Sequence, residues 1–176
     1  MKILIDNGHG IQTKGKRSPD GKLLEYAYTR NLARQIVKIL KTRGYDSELL
    51  IPEDDDIPLS ERVRRANEIC LTYEPSCPAP TGHPDVILIS LHLNAAGDGT
   101  KWMNATGWSC YTCKGQTESD RLADCLYKAA ANSREPGNPH RLRPRRRPRL
   151  GRKLLYLATL ALPCSPNREL FHGLTL

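Results

Sequence analysis

The sequence predicts an α/β domain, a twisted and mostly parallel sheet flanked by helices. Three observations carry that expectation. Strand-like and helix-like patterns alternate along residues 1–131, the order that builds crossover units around a parallel sheet. Asp85 to His92 (DVILISLH) is a nearly unbroken apolar run, the signature of a strand covered on both faces. The first apolar segment stops abruptly at Asn7-Gly8-His9-Gly10, a tight turn in which two glycines supply backbone freedom.

Taken in order, residues 2–6 (KILID) read as a short buried strand, and a polar loop follows through Pro19-Asp20-Gly21. From Leu23 to Thr42, apolar Leu24, Ala27, Tyr28, Leu32, Ile36, Ile39 and Leu40 recur at three- and four-residue steps, and Gly44 follows as a C-terminal cap. That spacing predicts an amphipathic helix. Tyr45 to Ile51 reads as a second strand. Pro58 with Leu59-Ser60-Glu61-Arg62 opens a second helix running to about Tyr73, with Val63, Ala66, Asn67 and Leu71 along one side. A Pro- and Thr-rich loop over 75–84 leads into the central strand, whose end points at Asn94. Residues 106–113 (TGWSCYTC) predict a further strand, and Glu118 to Ala131 a third helix with Leu122, Cys125, Leu126 and Ala129 inward.

With 176 residues, 39% of them hydrophobic, the chain is long enough for one core and leaves little room for a second. No run approaches the roughly 18 to 20 apolar residues of a membrane span. Ile3 to Ile5 meets Asp6 too soon for a signal peptide. The expectation is therefore no membrane partner and a cytoplasmic origin. The formal charge is +8, but residues 1–137 hold 18 basic and 18 acidic residues, whereas 138–176 hold nine basic residues and Glu169. The excess sits wholly in the tail, so the body lacks the basic face that nucleic acid requires. Two parts are expected: a domain over 1–137 and a basic Arg-, Leu- and Pro-rich tail over 138–176, with no nucleic-acid partner.

Three metal-ligand types fall where an open α/β sheet places its crevice. They are His9 after the first strand, Glu25 at the start of the first helix and His92 at the end of the central strand. Two imidazoles and a carboxylate form a hydrolytic zinc set with a fourth position open. Each residue also has an ordinary explanation: a turn histidine, a helix N-terminal carboxylate favoured by the dipole, and a hydrogen-bonded strand-end histidine.

Four segments in order resemble the zinc-dependent N-acetylmuramoyl-L-alanine amidases of the amidase-3 type. They are ILIDNGHG at 3–10, LLEYAYTRNLARQIVKILKTRGY at 23–45, LSERVRRAN at 59–67 and VILISLHLNAA at 86–96. The resemblance implies a phosphorylase/hydrolase-like fold and a Zn2+ cofactor held by His9, Glu25 and His92. It also implies a substrate contact at Asn94, which follows His92 in an HxN signature. The partner it implies is peptidoglycan, cut at the amide between the lactyl group of N-acetylmuramic acid and L-alanine. Arg62 and Asn67 match the family's helix motif and also suit a structural role, anchoring a helix near the sheet. Cys110 and Cys113 have CxxC spacing, but on a strand residues three apart face opposite ways, and no second CxxC completes a zinc site.

The resemblance implies a late strand of the type VLTEN, whose glutamate serves as general base, and no such strand is read in 138–176. The final strands are expected to be missing, and no catalytic base is assigned. A disordered basic arm is one explanation. The preferred one is a displaced reading frame. One permitted codon choice for Lys153 to Gly173, started a base later, reads NFYILRHSPCPAVLTENFFMD, which resembles the missing segment. The shifted glutamate codon straddles Arg168 and Glu169, so Glu169 itself is a decoy, and the frame is expected to slip between Pro136 and His140. The rival to a hydrolase is a non-catalytic zinc- or wall-binding pseudoenzyme.

Overall fold

The computed structural model describes residues 1–13, 15–73, 86–94, 98–103, 109–112, 118–132 and 157–163. Strand β1 (Lys2–Asn7) is buried at every position after Lys2. Ile3 and Ile5 pack on one side with Ala33, Val37 and Leu91, while Leu4 packs on the other with Leu50, Ile51, Ala66, Val86 and Leu88. The period-two alternation is that of a strand, and apolar residues on both sides require a layer on each. Helix α1 (Glu25–Thr42) supplies Ala33 and Val37 on the first side; helix α2 (Leu59–Thr72) supplies Ala66 on the second.

Strand β2 (Asp46–Leu49) lies parallel to β1 on one edge, and β3 (Val86–Asn94) lies parallel to β1 on its other side. The chain thus steps one way from β1 to β2 and back across β1 to reach β3. Right-handed crossovers in opposite directions put their helices on opposite faces, which is why α1 and α2 cover different sides. Gly44, at φ +84°, ends α1, and its N–H donates to the Lys41 carbonyl at 3.0 Å. Strand β4 (Ser109–Tyr111) and helix α3 (Glu118–Asn132) add a third cluster, in which Cys110 and Ala123 pack with Tyr28, Leu32, Leu93, Leu122, Leu126 and Tyr127.

The tail departs from expectation. Strand β5 (Leu157–Pro163) lies between β3, to which it is parallel, and β4, to which it is antiparallel, giving the order β2-β1-β3-β5-β4. The Arg-Pro runs in the first half of 138–176 obscure the segment LATLAL behind them, which has no charge and no proline before its final residue. Glu169 and Cys113 lie outside the described residues, as does the loop over 75–84. No helix among the described residues is long and apolar enough to cross a membrane.

Two helix faces are also corrected. In α2 the inward side is Arg62, Ala66, Ile69 and Cys70, while Leu71 is 59% exposed. In α3 Ser119 and Ala123 are buried, and Cys125 and Ala129 are exposed. Leu4→Ala should destabilise the chain by ~2–5 kcal/mol through the cavity it opens. Leu71→Ala should change it by less than about 0.5 kcal/mol. Urea unfolding of the two variants checks the pair.

Candidate metal centre

His9 follows the end of β1, Glu25 is the first residue of α1, and His92 lies near the end of β3. β1 and β3 run side by side with Asn7 opposite Leu91, so both histidines stand at carboxyl ends flanking the point where the chain changes direction. Crevices at that point are where open α/β sheets bind ligands.

The structure brings the three side chains together, with one ligand atom of each within 4.8 Å of the others. Glu25 Oε1 is the hub. It lies 3.5 Å from His9 Nε2 and 3.2 Å from His92 Nδ1, and it accepts the Leu93 N–H at 2.9 Å. The imidazoles meet edge to face, their centroids 5.1 Å apart. A zinc ion holds nitrogen and oxygen ligands at about 2.0–2.1 Å, so the edges of its tetrahedron are about 3.3–3.4 Å. Two of the three edges are already near that length. The donor set, two nitrogens and one carboxylate, is that of a catalytic site with an open position.

The electrostatics suit a cation. Burial lowers the His9 pKa below the usual imidazole range, and the nearby Glu25 charge does not restore it. His9 is therefore neutral at pH 7, the form that binds metal. Burial alone would raise the Glu25 carboxyl. The His92 hydrogen bond, the Leu93 N–H and the two imidazoles outweigh it and hold that carboxyl below the usual carboxylate range.

The turn that presents His9 works differently from the expectation that its glycines supply backbone freedom. Among described non-glycine residues, His9 alone has a positive φ, at 60°, and neither Gly8 nor Gly10 does. Both glycines are there for space. A Cβ on Gly8 would stand 2.6 Å from the His92 ring and 2.9 Å from the Leu91 carbonyl; one on Gly10 would run into the backbone of Asp55 and Asp56. The left-handed conformation costs a non-glycine residue roughly 1–2 kcal/mol, so surrounding contacts must hold it. Two guanidinium groups meet the His9 carbonyl, Arg30 Nη1 donating at 2.8 Å and Arg62 Nη2 at 3.4 Å.

A family model described as N-acetylmuramoyl-L-alanine amidase matches residues 3–162. The chain belongs to this amidase-3 family. Solved structures agree in fold. The catalytic domain of CwlV, an amidase from Bacillus (Paenibacillus) polymyxa var. colistinus, has 19% identity and a TM-score of 0.64 over 91% of this chain and 78% of its own. The amidase AmiC2 of Nostoc punctiforme has 18% identity and a TM-score of 0.69 over 91% and 77%. The CwlD amidase of Clostridioides difficile, solved in complex with the GerS lipoprotein, has 17% identity and a TM-score of 0.67 over 92% and 81%. A search of curated proteins gives no match.

In this amidase the anchoring role read for Arg62 is realised. Its Nη1 donates to Asp6 Oδ1 and to the Asn7 carbonyl, both at 2.6 Å, and its Nε to the Ile57 carbonyl at 2.8 Å. Ser90 donates to the other Asp6 oxygen at 2.6 Å, so β1, β3 and α2 are tied beneath the site. Asn67 has a buried Oδ1 without a hydrogen-bond partner among the described residues. Asn94 is the last residue of β3, paired through its backbone with Pro163. Cys110 is buried, and burial pushes its thiol up to about 11, which keeps it protonated and unreactive at pH 7. Thr29 and Arg30 were not singled out in the sequence. Thr29 donates to the carbonyls of Gly8 at 3.2 Å and Glu25 at 3.0 Å.

Gly8→Ala should displace the His92 ring and weaken uptake of a divalent metal by about 10–100-fold, the range typical of disturbed ligand orientation. Chelator competition on the purified chain measures it.

Proposed function

We propose that this chain holds Zn2+ through His9, Glu25 and His92 and acts on peptidoglycan at the amide joining N-acetylmuramic acid to L-alanine. The observation that supports the reading is the convergence of these three side chains, from three separated segments, on one oxygen of Glu25. Bound there, zinc supplies Lewis-acid polarisation of an amide carbonyl and acidifies water. Glu25 stays ionised, held by the Leu93 N–H, and gives the site its negative charge. His9 and His92 complete the donor set. Asn94, two residues beyond His92, contacts the substrate, and the protein meets the wall after export or release.

The cluster contains a single carboxylate, and that group is committed to the metal. A second carboxylate is needed to take a proton from water and deliver it to the leaving amine. In this reading the second carboxylate is encoded in the displaced frame, across the codons of Arg168 and Glu169. The tail from about residue 138 is then a translation of the wrong frame.

Two measurements test the proposal. The purified chain should take up one Zn2+ per molecule, and His92→Ala should take up far less. Incubated with sacculi, a chain with the frame restored should release stem peptides bearing free L-alanine amino termini. The present chain should do so ~10²–10⁴-fold more slowly, the usual cost of losing a general base. Stoichiometric zinc without hydrolysis by either form would favour the wall-binding pseudoenzyme, and an intact frame in independently sequenced genes would remove the displaced-frame reading.

A further inference from the structure

Arg30 is buried within α1, yet it does not spend its charge on a buried carboxylate. Its Nε and Nη2 donate to the Glu53 carbonyl at 3.0 and 2.9 Å, Nη2 also to the Asp55 carbonyl at 3.1 Å, and Nη1 to the His9 carbonyl at 2.8 Å. The nearest carboxylate oxygen, on Asp54, lies 3.4 Å away on a side chain that is 67% exposed. A guanidinium offers five N–H groups in a rigid planar fork. Here that fork joins three carbonyls from two loops that also meet through the side chains of Gln12 and Thr13, which bond Asp55 and Asp56.

The two loops are packed as closely as backbone allows. Ile11 N–H donates to the Asp54 carbonyl at 2.9 Å, and Gly10 lies against Asp55 and Asp56 with no space for a Cβ. Between β1 and Gly10 stands His9, the residue with the left-handed backbone. Its carbonyl direction and its Cα–Cβ direction are linked through φ and ψ, so holding the carbonyl fixes the direction in which the side chain leaves the backbone, from which χ1 and χ2 set the ring. Thr29, one residue before Arg30, holds the Gly8 carbonyl at 3.2 Å. Successive residues of α1 thus grip successive carbonyls of the turn, and the same helix carries Glu25 at its first position.

We propose that Arg30 is a positioning residue of the metal centre: by donating to the His9 carbonyl while anchored on the 53–55 loop, it holds His9 in the left-handed conformation that points Nε2 at Glu25. The inference rests on the zinc reading of His9, Glu25 and His92. Arg62 reaches the same carbonyl more weakly, at 3.4 Å, and chiefly ties Asp6 and Asn7. Arg30 is therefore the stronger of the two guanidinium restraints on the His9 carbonyl.

The test compares the full chain with Arg30→Gln and Arg30→Lys, and with Arg34→Gln as control. Arg34 lies on the same helix and, among the described residues, pairs with exposed Asp54. Affinity for Zn2+ alone is measured by chelator competition at a temperature where far-UV circular dichroism shows every variant folded. Arg30→Gln should bind Zn2+ about 10–100-fold more weakly than the unaltered chain. Arg30→Lys, which keeps the charge but not the fork, should show an intermediate loss, and Arg34→Gln none. The visible spectrum of the Co2+-loaded Arg30 variants should also change, because a loosened His9 alters the coordination geometry.

A merely structural arginine would lower the melting temperature and leave the affinity and the Co2+ spectrum of the folded variants within twofold and unchanged. That result overturns the inference. Should Arg30→Gln fail to fold, Arg30→Lys carries the same comparison. Failure of the unaltered chain to bind Zn2+ would instead overturn the metal reading on which this rests, so the two failures are distinct.

Discussion

The cluster of His9, Glu25 and His92 depends on one backbone constraint: the chain must reverse immediately after β1 so that an imidazole on the turn faces another imidazole on the neighbouring strand. Asn7 and Leu91 are opposite one another in register, and Gly8 N–H still bonds the Leu91 carbonyl at 2.9 Å. His9 is thus the first residue free of the sheet. Continuing in extended form would carry its side chain away from β3. The left-handed φ turns it back, and the absent side chain of Gly8 leaves the volume that the His92 ring occupies.

A strained residue at the lip of a sheet persists only if its surroundings over-determine it. The surroundings here are unusually polar for a layer interface. Arg30, Arg62, Asp6, Thr29 and Ser90 are all buried, and their hydrogen bonds concentrate on the carbonyls of residues 7–9 and on each other. Burying a charge is costly unless it is fully satisfied. Arg62 meets this condition with Asp6 and the carbonyls of Asn7, His9 and Ile57, and Arg30 with carbonyls and a largely solvated Asp54 3.4 Å away. The apolar work is done lower in the sheet by Ile3, Leu4 and Ile5 with their partners on α1 and α2. Stability and ligand placement thus occupy successive ends of the same strands.

That division explains what was legible in the sequence. Strands β1 and β3 were clear because their lower halves are apolar on both faces, and the three candidate ligands followed from where those strands end. The inward face of α1 was read in part. Apolar periodicity picked out Leu24, Ala27, Tyr28, Leu32, Ile36, Ile39 and Leu40, of which Tyr28, Leu32, Ile36 and Leu40 pack half-buried against the core, while the residues that the structure buries most deeply are Glu25, Thr29, Arg30, Ala33 and Val37. Glu25, Thr29, Ala33 and Val37 form one stripe at four-residue steps, polar near the site and apolar beyond it. Hydropathy alone divides such a stripe and gives its polar half to solvent. A helix that starts at a candidate ligand should instead be read with the ligand's face as the inward one, whatever the polarity of its first two turns. By that rule Thr29 and Arg30 would have been candidates from the sequence.

The tail shows the converse. Its composition, nine basic residues against one acidic, outweighed the short apolar segment that forms β5, because a strand buried among others needs only a handful of uncharged residues to pair. The backbone supplies most of what pairing requires, and it is indifferent to reading frame. Side chains are not: a general base must be a particular carboxylate at a particular place, whereas a sheet position can be filled by Leu, Ala or Thr. A displaced frame can therefore preserve the outline of a late strand and still remove the group that chemistry depends on.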